Sequence, residues 1–376
     1  MVNTKAEKSP KIFASAIPSI LAIFSAELMT VSLFLYGPIK ENKFYLLIWI
    51  TAQFISGFFF AYLSDKRYRK KALIICQVIG VSSGIILALF GMDIITMCII
   101  GLFNPLPIAR GVLLDNFPKH SSLRIIAITY AAQYLTWAFF KNLGSVDYRV
   151  IVFTSLIILL INIFLTAFFL TDNYDTEKLE AGKKHLGFVE LMKFIFKNRA
   201  LALILVAFTF AESGFYLLLD YFEYLPVAKN YLSIASWSTL IGIGFAIFWR
   251  SIPHRSIISI LYLLGAGVNM IVLYKDFFIG ALPYISNLVS GMDFYTLIGG
   301  FYLPMVVDML IRILGKEHRA VGASMAEFGD TFATFIGSGI NLIRISIVGA
   351  TIILIFFYIA AAVIQWRAEK EPSAKN

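Results

Sequence analysis

The stretch AYLSDKRYRKKAL, residues 61–73, sets the reading of the whole chain. Five cations and a single acid, Asp65, are crowded between two runs without charge, residues 44–64 and 72–91. Each run matches the ~20 apolar residues a helix needs to cross a hydrocarbon layer of about 30 Å. A short basic loop between two such runs marks the cytoplasmic face of a membrane protein. Working outward, comparable apolar stretches recur at 12–36, 94–115, 124–143, 150–171, 200–224, 231–250, 256–274, 293–314, 320–342 and 345–366. Of the 376 residues 59% are hydrophobic and 15% charged, and mean hydropathy is +0.80. A water-soluble chain carries closer to a quarter charged residues, so this composition excludes that class.

The hydrocarbon offers no hydrogen bonds, so every spanning stretch has to satisfy its own backbone, and no stretch alternates with the period of two that a barrel strand requires. The expectation is an all-α polytopic membrane protein with twelve transmembrane helices. Residues 276–290 are apolar but short and broken by Pro283, which predicts an interfacial or re-entrant piece outside the twelve. With the N-terminus inside, Lys66, Arg69, Lys119, Arg124, Arg250, Arg312 and Arg319 all fall on the cytoplasmic side. Both termini are then cytoplasmic, in a membrane of the bacterial inner type. The net charge of +9 follows from this topology and from contact with anionic lipids. Nucleic acid is not needed to explain it, because no basic run accompanies a soluble binding fold. The first apolar segment is too long for a signal-peptide core. Cys76 and Cys98 lie within spans and His120, His185, His254 and His318 in loops, so neither a disulfide framework nor a metal centre is expected, and no cofactor.

One long polar interruption, DNYDTEKLEAGKKHLGFVELMKFIFKNR at 172–199, separates six spans from six. The expected organisation is an N-terminal six-helix bundle (1–171), a cytoplasmic linker (172–199) and a C-terminal six-helix bundle (200–376). Within the linker Phe188, Leu191, Met192 and Ile195 recur at helical spacing beside Lys193 and Lys197, the pattern of a short amphipathic helix on the membrane surface. Ordered echoes between the halves suggest duplication: Ala26–Glu27 with Ala211–Glu212, and Trp49 with Trp237.

The 61–73 stretch resembles the signature loop of the major facilitator superfamily. Leu63, Ser64, Asp65, Lys66, Arg69 and Lys70 match that pattern, while Ala61 and Tyr68 stand where the family has glycines. The resemblance implies two pseudo-symmetric six-helix bundles and a latch on the cytoplasmic side. In that latch Asp65 faces the positive N-terminal end of the eleventh span, and Arg69 reaches an acid at the end of the fourth, here Asp115. The second-half counterpart, RSIPHRS at 250–256, lacks the aspartate. The glycine-proline signature of the family's antiporters is missing from AITYAAQYLTWAFF, residues 127–140, which disfavours a drug exporter.

Charge inside the spans points to the transport path. A mid-span charge costs at least ~2.5–3.5 kcal/mol on insertion scales and therefore faces a cavity or a partner. Glu27 and Glu212 lie midway in the first and seventh spans, which by the resemblance line a central cavity. Glu212, Tyr216, Asp220 and Glu223 form one stripe of the seventh span at offsets of four, eight and eleven. Arg110 and Asp308 sit at comparable depth in the fourth and tenth spans. They can pair across the cavity, or take Asp115 and Arg312 as nearer partners. The eleventh span adds Glu327 and Asp330, with Thr331, Thr334 and Ser338 continuing the Glu327 face. Tyr130, Gln133, Tyr134, Trp137, Tyr295 and Tyr302 are the aromatic and amide groups closest to these charges. The spans offer no nucleophile and base at usable spacing, so an enzyme is not expected. The combined expectation is a monomeric secondary transporter for a small polar or charged organic solute, proton-coupled and importing. A proton-coupled exporter and a non-transporting receptor or scaffold are the rival readings.

Overall fold

The computed structural model describes residues 8–36, 43–91, 93–117, 122–139, 143, 146–170, 186–222, 228–249, 254–274, 284–341 and 345–371; certain side chains inside these helices, that of Asp220 among them, are outside the description. The first six spans correspond to α1 (Lys8–Tyr36), α2 (Lys43–Leu63), α3 (Arg69–Phe90), the pair α4 (Ile94–Gly101) and α5 (Leu106–Asn116), α6 (Ser122–Ala138) and α7 (Tyr148–Phe169). A short α8 (Phe188–Lys197) precedes α9 (Arg199–Phe222), α10 (Ala228–Phe248), α11 (His254–Tyr274), α12 (Tyr284–Leu314), α13 (Arg319–Asn341) and α14 (Ile347–Lys370). A helix thus occupies every stretch read as a span, and no strand occurs among the described residues. Among the described residues, seven of the spans qualify on length and apolarity alone.

Two features differ from the linear reading. The fourth span is broken at Leu102–Pro105: Pro105 has no N–H to donate and its ring crowds the preceding turn, while the Asn104 Oδ1 accepts from the Leu106 N–H at 3.3 Å, replacing a lost backbone partner. The tenth span begins early. Residues 284–290, expected in a separate interfacial piece, are the first turns of α12, which has 31 residues and so is about 46 Å long at ~1.5 Å per residue. Residues 276–283 lie outside the described residues.

The packing separates two bundles that meet along two seams. In the first, α1 packs on α5 and α7, α3 on α4 and α7, and α2 on α4; in the second, α9 packs on α13 and α14, α10 on α12, and α11 on α12 and α14. The seams are α6 against α10 and α12, and α13 against α2 and α5. One apolar core is drawn wholly from α1–α4, α5 and α7, with Leu33, Leu73, Leu87 and Leu159 fully buried. A second belongs mainly to the later helices and takes in Phe58, Leu113 and Ile126 across the seams. Small residues set the closest approaches: a Cβ at Gly242 would stand 2.0 Å from the Leu297 carbonyl oxygen, and one at Gly300 2.1 Å from that of Thr239. α10 and α12 therefore cross backbone to backbone. Outward faces stay apolar, as Phe153, Ile157, Phe164 and Phe168 on α7 show, which suits contact with lipid.

α8 is amphipathic, as its spacing predicts. Leu191 and Ile195 are buried, and the Phe188 ring stands edge-on to Phe58 (5.8 Å) and Tyr62 (5.2 Å) of α2. The helix meets α9 at a bend of 75° through Asn198. The bundles and the seams between them put the mid-span carboxyls of α1, α9 and α13 around one space.

Candidate functional site

That space is a cavity of about 220 Å³ between the bundles, lined by Glu27, Gln53, Trp137, Glu212, Tyr216, Tyr302, Glu327 and Asp330 among others. A smaller compartment of about 100 Å³ adjoins it and shares Gln133, Tyr134, Glu212, Tyr216, Glu327 and Asp330. Each of the four carboxyls is held by a neutral donor from another span. The Trp137 Nε1 donates to Glu27 at 2.7 Å, the Tyr302 hydroxyl to Glu212 at 2.5 Å, the Asn104 amide to Glu327 at 2.5 Å and the Tyr216 hydroxyl to Asp330 at 2.9 Å. Among the described residues none of the four has a lysine or arginine nitrogen within ion-pair distance. Charged groups sunk in a protein are normally paired; among the described residues these have no direct ion pair, and Arg110 acts on Glu27 and Glu327 only through space.

Arg110 lines the smaller compartment and is 2% exposed. Its Nε and Nη2 donate to Thr129 Oγ1 and Gln133 Oε1, each at 3.2 Å, and its guanidinium lies 4.2 Å above the Tyr130 ring. The alternative of an Arg110–Asp308 pair across the cavity does not hold. Asp308 is fully buried outside the cavity lining, where it takes Arg312 Nε at 2.8 Å and the Ser122 hydroxyl at 2.7 Å. One turn of helix makes Arg312 the nearer partner of Asp308, and Arg110 instead donates to Thr129 and Gln133 of α6. Of the remaining stripe residues, Thr331 lines the cavity, whereas Thr334 and Ser338 are buried away from it, the Thr334 hydroxyl donating back to the Asp330 carbonyl. The side chains of Asp220 and Tyr295, and all of Glu223, lie outside the described residues.

The basic loop forms a closed network below the cavity. After α2 the chain takes one wide helical turn, Ser64–Tyr68, before entering α3. This turn aims the 1%-exposed Asp65 at the start of α13, where its two carboxylate oxygens accept from the Ala320 N–H (3.1 Å) and the Val321 N–H (2.9 Å). These N–H groups are among the first of the helix and have no partner within it, and the helix dipole favours the negative charge. Arg69 bridges Asp65 at 3.1 Å and also contacts Asp115, which takes Arg319 Nη1 at 2.7 Å. Gly111 makes room, since a Cβ there would fall 2.1 Å from Arg69 Nη1. The first bundle is thereby tied to the second at this end of the cavity.

Three contributors escape a reading by residue type. Asn104 bonds Glu327 across the seam and the Gln53 carbonyl at 3.0 Å; the signal that could have exposed it is an Asn-Pro pair inside an apolar span. Arg319 counts in the sequence as one more cytoplasmic cation, yet it closes the network on Asp115. Gln53 is the one amide side chain in α2 and lines the cavity. Among the described residues no cluster of His, Cys, Asp and Glu could hold a metal ion.

A family model described as the Major Facilitator Superfamily matches residues 11–338, from α1 into α13. The fold is similar to that of the proton:xylose symporter XylE bound to 6-bromo-6-deoxy-D-glucose, with TM-score 0.74, 16% identity and 96% of each chain covered. It is also similar to the human organic anion transporter MFSD10, with TM-score 0.73, 12% identity, and 95% of this chain and 99% of that one covered. The Escherichia coli fucose:proton symporter FucP gives TM-score 0.70, 12% identity, and 96% and 99%. At these identities the likeness is one of fold. No curated protein matches in sequence. Apolar helices packed in two bundles, a signature loop seated on α13 and a family match over most of the length lead to one assignment: this chain is a multi-pass membrane protein of the major facilitator superfamily.

Proposed function

We propose that the chain is a secondary transporter in which residues 1–171 and 200–376 rock against each other about the central cavity, the linker spanning them on the cytoplasmic side. Its substrate is a small polar or charged organic solute, taken up together with protons across a membrane of the bacterial inner type, with both termini in the cytoplasm. The observation that carries this reading is the set of four carboxyls at mid-span, each oriented by a neutral hydrogen bond and, among the described residues, without a direct ion pair. Such groups can exchange a proton or a ligand charge each time the cavity changes sides, which is how two fluxes become coupled. The Asp65 network supports a state closed toward the cytoplasm. XylE and FucP, which are similar in fold, are proton symporters, and this supports the choice of coupling ion.

The test is a thermal-shift screen of the purified protein against metabolites at two pH values, since a ligand that binds the native state raises its melting temperature. Hits are then assayed in proteoliposomes. Accumulation driven by an inside-alkaline gradient and abolished by a protonophore is expected. Accumulation that persists after the gradient is collapsed rejects proton coupling, and absence of counterflow for every stabilising solute rejects transport.

A further inference from the structure

In the compartment of about 100 Å³ beside the main cavity, charge is sorted by bundle. Among its lining residues the cation, Arg110, comes from α5 of the first bundle, while Glu212 on α9 and Glu327 and Asp330 on α13 come from the second. Arg110 is directed by neutral partners alone: Thr129 and Gln133 hold two of its nitrogens and the Tyr130 ring supports its face. Glu27 and Glu327 act on this guanidinium through space but do not touch it, and a deep guanidinium without a direct ion pair is a costly arrangement that a bound carboxylate relieves. Glu212 and Asp330 line the same compartment, and each takes a tyrosine hydroxyl on one oxygen, from Tyr302 and Tyr216.

We propose that this slot binds a small zwitterion, with its carboxylate on Arg110 and its ammonium group between Glu212 and Asp330. This is the chemistry of a free amino acid. The proposal rests on the transport reading and narrows its substrate class. The solute's side chain points into the larger compartment, beside Trp49, Phe54 and Trp137. The alternatives fit less well on charge. A neutral polyol leaves the guanidinium without a direct ion pair, a simple cation meets Arg110, and a simple anion meets three carboxyls. A ligand with one charge of each sign also touches both bundles at once, so its binding draws them together, as an occluding step requires.

The experiment measures the melting temperature of the purified full-length protein with L-alanine, L-phenylalanine, propionate, ethylamine and D-xylose. Either amino acid should raise it, while the single-charge and neutral probes leave it unchanged. Arg110→Gln and Asp330→Asn should each weaken amino-acid binding by at least ~tenfold, about 1.4 kcal/mol, and Arg110→Lys, which keeps the charge but loses the fork, should fall between. Stabilisation by D-xylose undiminished in Arg110→Gln, or by ethylamine as strongly as by alanine, overturns the proposal; so does a panel in which no amino acid binds. The wild-type panel decides even if a variant fails to fold. Should D-xylose also accumulate in proteoliposomes, the zwitterion assignment falls while the transport reading stands. Failure of every solute to exchange removes both.

Discussion

Asp65→Asn is expected to slow solute transport by about tenfold or more while changing the dissociation constant of the solute less than about threefold. The asparagine oxygen can accept from one of the Ala320 and Val321 N–H groups, but its amide nitrogen then opposes the other donor, and Arg69 loses a buried counter-ion. Removing one partner of a buried pair typically costs ~3–5 kcal/mol. That penalty falls on the state closed at this end and not on the cavity, where Asp65 has no contact. A shift of ~3 kcal/mol changes a two-state population by roughly a hundredfold, enough to strand the carrier open to the cytoplasm. Rate and affinity, measured separately by counterflow and by ligand-induced stabilisation, check this. Equal loss of both would mean that the turn between α2 and α3 supports the binding site and is no latch.

Glu27→Gln and Glu212→Gln are each expected to abolish uphill accumulation while preserving folding, bringing the inside-to-outside ratio of solute close to one. Glutamine has nearly the shape of glutamate and can still accept from Trp137 or Tyr302, so packing around the cavity is retained. What it loses is the ability to gain and release a proton. Allosteric coupling between two ligands is worth about 1–3 kcal/mol, or ~5–150-fold in affinity, and a carrier without it equilibrates its solute and stops. Exchange of labelled for unlabelled solute should therefore survive in both variants. Full accumulation in both would take these carboxyls out of the coupling step.

Much of the architecture was open to a linear reading because lipid leaves so few options. Apolar length and the side preference of basic loops mark the helices, and the family-like loop points to Asp65, Arg69 and Asp115, which the fold brings into contact with the start of α13. The mid-span acids were visible for the same reason: a charge such as Glu27 or Asp330 is expensive in hydrocarbon unless something in the fold receives it. Partner choice was not visible. Arg110 and Asp308 match in depth, but depth says nothing of rotation about the helix axis, and it is rotation that gives Asp308 to Arg312 and Arg110 to Thr129 and Gln133. Asn104 carries no charge and so raised no alarm, although the break at Pro105 turns it toward α13. Tyr302 stood out beside the charges for its ring, but that its hydroxyl donates to Glu212 depends on rotation about α12 and could not be read from the line of residues. The internal echoes also stop short of environment: Trp49 is buried in the cavity wall, while its counterpart Trp237 is 45% exposed beside Phe139.

The account depends on water reaching the acids between the bundles from one side at a time. The direct measurement replaces Cys76 and Cys98 with serine, places single cysteines at 27 and 212, and treats right-side-out and inside-out vesicles with a membrane-impermeant thiol reagent. With Asp65 intact both positions should label from the outer face, and with Asp65→Asn the labelling should move to the cytoplasmic face. Positions 27 and 212 sealed from both sides, under every condition and in both backgrounds, would contradict passage through the middle of this protein.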